Sequence, residues 1–406
     1  MKLRILLLTY GYPPDHAGGY ELRCRDIVSK LVERGHIVRI ITTRVEKHGL
    51  RLEWEHGISR VFHEIRSFTP IPEMLRCSFN DVLFLDRVVK DFSPDVIYLF
   101  HVINFTRYLY PYLAKLDIPV VYDEGGYGLT YAWLHHRWFS NSKSLYKTVT
   151  KQLVRQTLQI LSNGLLQAHW AWPSKISAYF NSNKALEHAE NNRVPLQRRK
   201  VIYSAVDLNL FRYSERSDLS EPIRIIVPGR IEAAKGTIDA IDWFEHMQRH
   251  RVPVQLTIVG NNTDDAYYNI LVNRAKQTDP ENIVIMPQVP HAEIAALLRY
   301  NHVCFFPSYH NSGLSRTPLE AMASGTLVIS YGGESSKNTI EHGKTGFIVE
   351  PKEWEVAEGI LRMLMTEPSR YREILACARR YVETVHNFED YINQIEQFLR
   401  EARRPL

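Results

Sequence analysis

The sequence predicts an α/β protein with two doubly wound parallel-sheet domains in series. Short apolar runs alternate with amphipathic helical stretches along most of the chain, the pattern of βαβ crossovers. The alternation lapses over residues 213–222 (YSERSDLSEP), a polar stretch without periodicity, and restarts at Ile223. A chain of 406 residues also exceeds what one hydrophobic core serves, so two cores are expected. The boundaries follow: residues 1–212 for the first domain, 213–385 for the second, and 386–406 for a C-terminal helix that lies beyond the last strand and can cross back to the first domain.

In chain order, residues 3–8 read as the first buried strand, 20–34 as a helix carrying Leu22, Ile27, Val28 and Leu31, and 37–41 as a second strand. The paired Gly18 and Gly19 just before the helix allow a ligand close to the backbone, or make a turn and nothing more. They do not form a G-x-G-x-x-G fingerprint. Residues 82–92 read as helix, 95–100 as a strand ending at His101, and 119–122 as the next strand. Open α/β sheets place their sites at carboxyl strand ends, which singles out His101, although a lone histidine there serves structure as readily as chemistry. In the second half, strands are expected at 201–203, 223–227, 254–259, 283–286, 302–306, 327–330 and 347–349.

Charge is mildly basic, +5 with a pI near 8.8, and is concentrated between Arg137 and Lys200, where eleven basic residues stand against Glu187 and Glu190. Lys143, Lys147, Lys151 and Arg155 recur every four residues and form a basic ladder on one helix face, next to the ring-rich stretch that holds Trp133. Such a face suits an anionic acceptor or an anionic lipid surface, or is simply solvated. No nucleic-acid-binding motif accompanies it. The four cysteines are scattered without C-x-x-C spacing, so structural thiols in a reduced, cytoplasmic compartment are expected. The apolar run at the N-terminus is too short for a signal peptide, and no stretch reaches the length of a membrane span. Peripheral contact at the inner membrane face stays open.

Residues 307–325, PSYHNSGLSRTPLEAMASG, link a buried strand through a small-residue loop to a helix. That geometry turns backbone N–H groups and a helix N-terminus toward an anionic phosphate. Glu320 stands three residues after Thr317, with Pro318 between them, so it either points at a ligand hydroxyl or completes a capping box.

Taken together, YPPDHAGGYE, RGHIVRIITT, VDLNLF, PGRIEAAKG, IVGNN, PLEAMASG, YGG and HGKTGFIVEP, in this order and spacing, resemble family 4 glycosyltransferases of the GT-B fold. The resemblance runs through nearly the whole chain. It implies two Rossmann-like domains facing a central cleft and retaining, metal-independent transfer of a sugar from a nucleotide-sugar donor, a UDP- or GDP-sugar, with no cofactor. It places Arg230 and Lys235 of the G-R-x4-K-G stretch on the donor diphosphate, where two fixed cations offset the charge growing on the leaving group. It also implies donor contacts from Gly18, Gly19, Gly229 and Gly260, backbone donors from Leu314, Ser315, Arg316 and Thr317, and a ribose contact from Glu320. His101 falls one residue beyond the place of the family's catalytic histidine.

One departure divides the functional readings. The family carries a second Glu eight residues before the one at 320, and this chain has Ser312, followed by Gly313. An active hexosyltransferase acting on a glycan, lipid-linked sugar or small metabolite is the first expectation. A nucleotide-sugar-binding pseudo-enzyme or regulatory subunit is the alternative, and a nucleotide-sugar epimerase on the same fold is a third.

Overall fold

The computed structural model describes residues 2–14, 19–44, 51–53, 57–66, 68–102, 104–136, 138–140, 145–309 and 314–404; for residues 51–53, 145, 147 and 334 it describes the backbone only. Two compact units divide the chain, Met1–Ile202 with Ile392–Leu406, and Tyr203–Tyr391.

The first unit runs β1 (Arg4–Thr9), α1 (Gly19–Glu33), β2 (Ile37–Thr43), β3 (Arg51–Glu53), β4 (Ile58–Phe62), α2 (Ile71–Phe92), β5 (Val96–Phe100), α3 (Leu109–Leu113), β6 (Val120–Glu124), α4 (Gly128–Leu134), α5 (Leu145–Leu161), β7 (Ile176–Phe180), α6 (Asn183–Asn191) and β8 (Arg199–Val201). Its sheet is ordered β3-β4-β2-β1-β5-β6-β7-β8, parallel except for β3, which runs against β4. Strands β5, β6 and β7 are buried along their whole length, the consequence of helices on both faces, which is why they read as unbroken apolar runs.

The second unit runs β9 (Ile223–Pro228), a 3-10 turn (Ala233–Lys235), α7 (Thr237–Arg249), β10 (Val254–Val259), α8 (Asp265–Thr278), β11 (Ile283–Met286), α9 (His291–Tyr300), β12 (Val303–Phe306), α10 (Arg316–Ser324), β13 (Leu327–Tyr331), α11 (Glu334–Lys337), β14 (Phe347–Val349), α12 (Trp354–Thr366), α13 (Pro368–Val385) and the start of α14 (Phe388–Ala402). Its six strands are all parallel, in the order β11-β10-β9-β12-β13-β14.

Three boundaries differ from the sequence reading. The border between the units falls at 202/203 because residues 203–222 pack onto the second unit. Val206, Phe211 and Leu219 are buried there, and Arg216 donates to the carbonyls of Gly325, Arg299 and Asn301 at 2.8, 2.6 and 2.6 Å. A stretch that looked like a polar linker is therefore anchored at its apolar positions. Helix α2 begins at Ile71 rather than near residue 82. Its first half carries Ser78 and Asp81 on the buried side, and Asp81 is satisfied there by the His63 backbone N–H at 3.1 Å and by His63 Nδ1 at 2.6 Å. The edge strand β8 occupies 199–201, not 201–203.

At the C-terminus, α14 joins the first unit from Ile392. It buries Ile392, Ile395, Phe398 and Leu399, and Glu396 pairs with Arg34 and His36 at 3.0 and 3.1 Å. Among the described residues no helix is long and apolar enough to cross a membrane.

Candidate functional site

In each sheet the strand order reverses once, between β1 and β5 in the first unit and between β9 and β12 in the second. Loops leaving the carboxyl ends of such a strand pair diverge to opposite faces and open a crevice, the usual ligand position in doubly wound sheets. Among the described residues singled out from the sequence, Arg230 and Lys235 follow β9, Glu320 lies on the helix after β12, and His101 follows β5.

In the second unit the loops after β9, β10 and β12 are laced by backbone bonds: Gly229 N–H to Val259 O at 3.0 Å, Ile231 N–H to Asn261 O at 2.8 Å, and Tyr309 N–H to Ala234 O at 3.0 Å. The approach is so close that a Cβ on Gly260 would stand 1.6 Å from the Gly229 carbonyl oxygen. Gly236, at a φ of 64°, would place a Cβ 2.2 Å from Pro307 O. Both glycines are thus demanded by backbone contact, which fixes the ridge that presents Arg230 and Lys235. Arg230 is half exposed and pairs with Glu232 at 3.1 Å. Lys235 ends the 3-10 turn with its Nζ 5.8 Å from the Phe306 ring centroid. Burial, and then the charge of Arg230, lower its pKa, with Glu232 opposing.

Helix α10 corrects the capping expectation. It starts at Arg316 with Ser315 as N-cap and no side-chain cap, so Thr317 and Pro318 lie inside the helix and no Thr317–Glu320 box forms. The Ser315 N–H is also taken, by Ser335 Oγ at 2.7 Å, which removes it from the expected free backbone donors. Leu314 is buried. Glu320 is buried, and its Oε1 is held by His291 Nε2 at 3.0 Å and Arg316 Nε at 3.3 Å. Burial would raise this carboxyl, but the hydrogen bond from His291 and the charge of Arg316 outweigh it and hold the group below its ordinary value. Glu320 is thus a fixed anion, and its Oε2 makes no hydrogen bond among the described residues. Ser312 and Gly313 lie outside the described residues, as does Gly18.

In the first unit His101 follows β5 directly with a φ of 55°, a left-handed turn at the strand end. Its ring packs on Tyr10 and Tyr20 at centroid distances of 5.8 and 5.1 Å, and its buried Nδ1 makes no hydrogen bond among the described residues. Burial lowers its pKa, with Glu21 opposing, so the ring is neutral at pH 7. Gly19 opens α1 with nothing within 4 Å of the place a Cβ would take, so packing among the described residues does not require a glycine there. Asp123, at the end of β6, is structural: fully buried, paired with Arg23 at 2.6 Å and accepting from the Tyr20 and Tyr179 hydroxyls.

Beyond His101, the chain lines a cavity of about 400 Å³ whose walls include Asn104, Arg107, Tyr131, His135, His136 and Trp170. His136 stacks on Trp170 at 4.7 Å. This cavity was not read from the sequence, because its walls come from segments that no local spacing connects. Trp133, expected on the surface, is half-buried against Trp172 at 5.3 Å instead. The basic ladder is also broken. Arg155 is buried, with Nη1 donating to Trp138 O at 3.2 Å, while α5 exposes Tyr146, Leu153, Ile160 and Leu161. Lys151 is half-buried; Lys143 and the side chain of Lys147 lie outside the described residues. Two partners of the second-unit site also escaped the sequence reading. His291 lies 29 residues from Glu320, and Asp239 accepts from Tyr309 and Tyr331 hydroxyls at 2.5 and 2.9 Å; only the tertiary fold brings these groups together.

Known proteins carry the same organisation. Residues 212–381 match the model of glycosyl transferases group 1, and residues 17–164 match that of glycosyltransferase family 4. A glycogen synthase from Mycobacterium tuberculosis is 22% identical over 423 aligned residues, 99% of this chain and 95% of that protein. Among solved structures, a glycosyltransferase from Rickettsia africae superposes with a TM-score of 0.72 at 16% identity over all of both chains. HepE from Anabaena, solved in complex with UDP-glucose, superposes with a TM-score of 0.69 at 18% identity over 98% of this chain and 99% of its own. Both likenesses show the GT-B fold. With the two family models taking in most of the sequence, the chain belongs to glycosyltransferase family 4.

Proposed function

We propose that this glycosyltransferase moves a sugar from a UDP- or GDP-sugar to a carbohydrate or lipid-linked acceptor, with retention of anomeric configuration and without a metal at the diphosphate. The observation that carries the reading is the placement of Arg230 and Lys235 on a rigid glycine-pinned ridge at the β9/β12 switch point, in the same unit as the fixed anion Glu320. As the bond between the anomeric carbon and the diphosphate oxygen breaks, negative charge grows on the leaving group, and the two cations stabilise it without reorganising. Lys235, partly desolvated, is worth more there than an exposed lysine. Glu320 Oε2 accepts from a ribose hydroxyl while His291 and Arg316 hold Oε1. The UDP-glucose complex of HepE supports a uridine donor by analogy.

The acceptor belongs to the first unit. Its ring-lined cavity offers Trp170 and Tyr131 for stacking on a sugar face and Arg107 for an anionic substituent. The exposed apolar side chains of α5 beside Lys151 suit shallow contact with an anionic bilayer, which fits a lipid-linked acceptor.

Incubation of the chelator-treated full chain with UDP-, GDP- and ADP-sugars and a panel of acceptors, followed by nucleoside diphosphate release and NMR of the product anomer, tests the reaction. Turnover with a retained anomer is expected. Tight donor binding without turnover, converted to turnover by Ser312→Glu, would establish the regulatory reading instead. An inverted product would overturn the stereochemical part, and activity restored only by added Mg²⁺ would overturn the metal-free part. Co-sedimentation with phosphatidylglycerol vesicles, weakened by Leu153→Glu and Ile160→Glu, is expected for the membrane contact; equal sedimentation of the variant removes it.

A further inference from the structure

The far end of α7 carries a constellation that the donor chemistry does not use. His246 and His250 lie one helical turn apart, on the same face, with ring centroids 4.2 Å apart. Glu358 of α12 meets that face. Its Oε2 lies 2.8 Å from His246 Nε2 and within hydrogen-bonding distance of His250 Nδ1, so two imidazole nitrogens and one carboxylate oxygen converge on one point, all within 4.8 Å of one another. The other carboxylate oxygen accepts from Arg362 Nε at 2.6 Å, and Arg362 donates to His250 O at 3.0 Å, which orients both the carboxylate and the turn carrying His250. Outer-shell hydrogen bonds of this kind fix ligands in metal sites. His246 and Glu358 are buried, whereas the His250 side chain is 46% exposed, so the remaining direction opens to solvent.

We infer that His246, His250 and Glu358 form a site for a transition-metal dication of the Zn²⁺ type, completed by water. Two imidazoles and a carboxylate suit zinc, cobalt or nickel, and do not suit calcium or magnesium, which require oxygen ligands. Each imidazole binds through the nitrogen that now faces Glu358, with its proton on the other ring nitrogen. Bonds of about 2.0 to 2.2 Å to all three atoms require the nitrogen–oxygen separation to widen to roughly 3.3 Å, a small rotamer adjustment. The ion ties α7 to α12. Because α7 starts at Thr237, two residues after Lys235, occupancy braces the helix whose opposite end adjoins the donor loop.

The test uses the full chain, stripped with chelator and titrated with Zn²⁺ by calorimetry and with Co²⁺ by visible absorption. One equivalent is expected, with the d–d bands of a tetrahedral cobalt site, and His250→Ala and Glu358→Gln each weaken binding at least tenfold while the far-ultraviolet circular dichroism is unchanged. His250 is exposed enough that its loss leaves the core intact, and the wild-type cobalt spectrum stands independently of either variant. Absence of saturable uptake, or uptake by both variants with wild-type affinity, would overturn the assignment.

Discussion

The two sheet edges share one topology but hold their polar groups differently. At the β9/β12 edge the ionic groups come ready made: Arg230 on Glu232, Lys235 beside Phe306, Glu320 held by His291 and Arg316, all on loops pinned backbone to backbone. At the β1/β5 edge the central group is a neutral histidine on a left-handed residue whose buried Nδ1 makes no hydrogen bond among the described residues, followed by a cavity half of whose lining residues carry rings. A preorganised ionic edge suits a ligand whose charge is constant across substrates. A ring-lined cavity suits the acceptor in the proposed reaction, because ring faces stack on sugars of different substitution.

The sharpest way to break this contrast is to remove a cation. Lys235→Ala is expected to lower kcat about 10²- to 10³-fold with every acceptor, the usual cost of one preorganised electrostatic group; single-turnover kinetics measure it, and an effect confined to one acceptor would erase the distinction between the edges. Gly260→Ala should come next, costing about 2–3 kcal/mol of stability by urea titration, because its Cβ has no room against Gly229 O. Glu320→Gln removes the charge that His291 and Arg316 stabilise and is expected to weaken nucleotide binding about tenfold, read by calorimetry. Trp170→Ala should raise the acceptor KM several-fold and leave donor hydrolysis untouched.

The smallest effect is a pH slope. Glu124, buried at the end of β6, accepts from the Gly126 and Leu129 N–H groups at 2.8 and 2.5 Å, yet burial pushes it up to about 7. A carboxyl raised in the folded state holds its proton more tightly there than when unfolded. Its stabilising contribution is therefore complete below about 4.5 and is lost as pH rises through about 7. Glu124→Gln should flatten the stability profile between pH 5 and pH 7.5 by at most about 1.4 kcal/mol per pH unit; parallel profiles for wild type and variant would contradict the assignment.

The same contrast explains what the sequence disclosed. Arg230, Lys235 and Glu320 were singled out through the resemblance because each lies in a short contiguous motif, and the structure sets them on loops and a helix following β9 and β12. The buried strands β1, β5, β9 and β12 were legible because burial on both faces leaves unbroken apolar runs. His291, the Asp239 pair and the ring-lined cavity were not, since each joins segments distant in sequence. The capping box failed for a related reason: Thr317 and Glu320 have the right spacing, but the helix begins two residues earlier, with Ser315 as its N-cap, and Glu320 finds partners in His291 and Arg316. Arg155 kept its ladder spacing on paper while its guanidinium turned inward to the Trp138 carbonyl.

The most direct test of the division between the edges is calorimetric binding of UDP-glucose and GDP-mannose to the full chain and to two variants. If the second unit holds the donor, the double change Arg230→Ala, Lys235→Ala weakens the bound nucleotide sugar at least tenfold, and Trp170→Ala leaves it within twofold of wild type. Donor affinity that survives loss of both cations, or falls with Trp170, would contradict that placement.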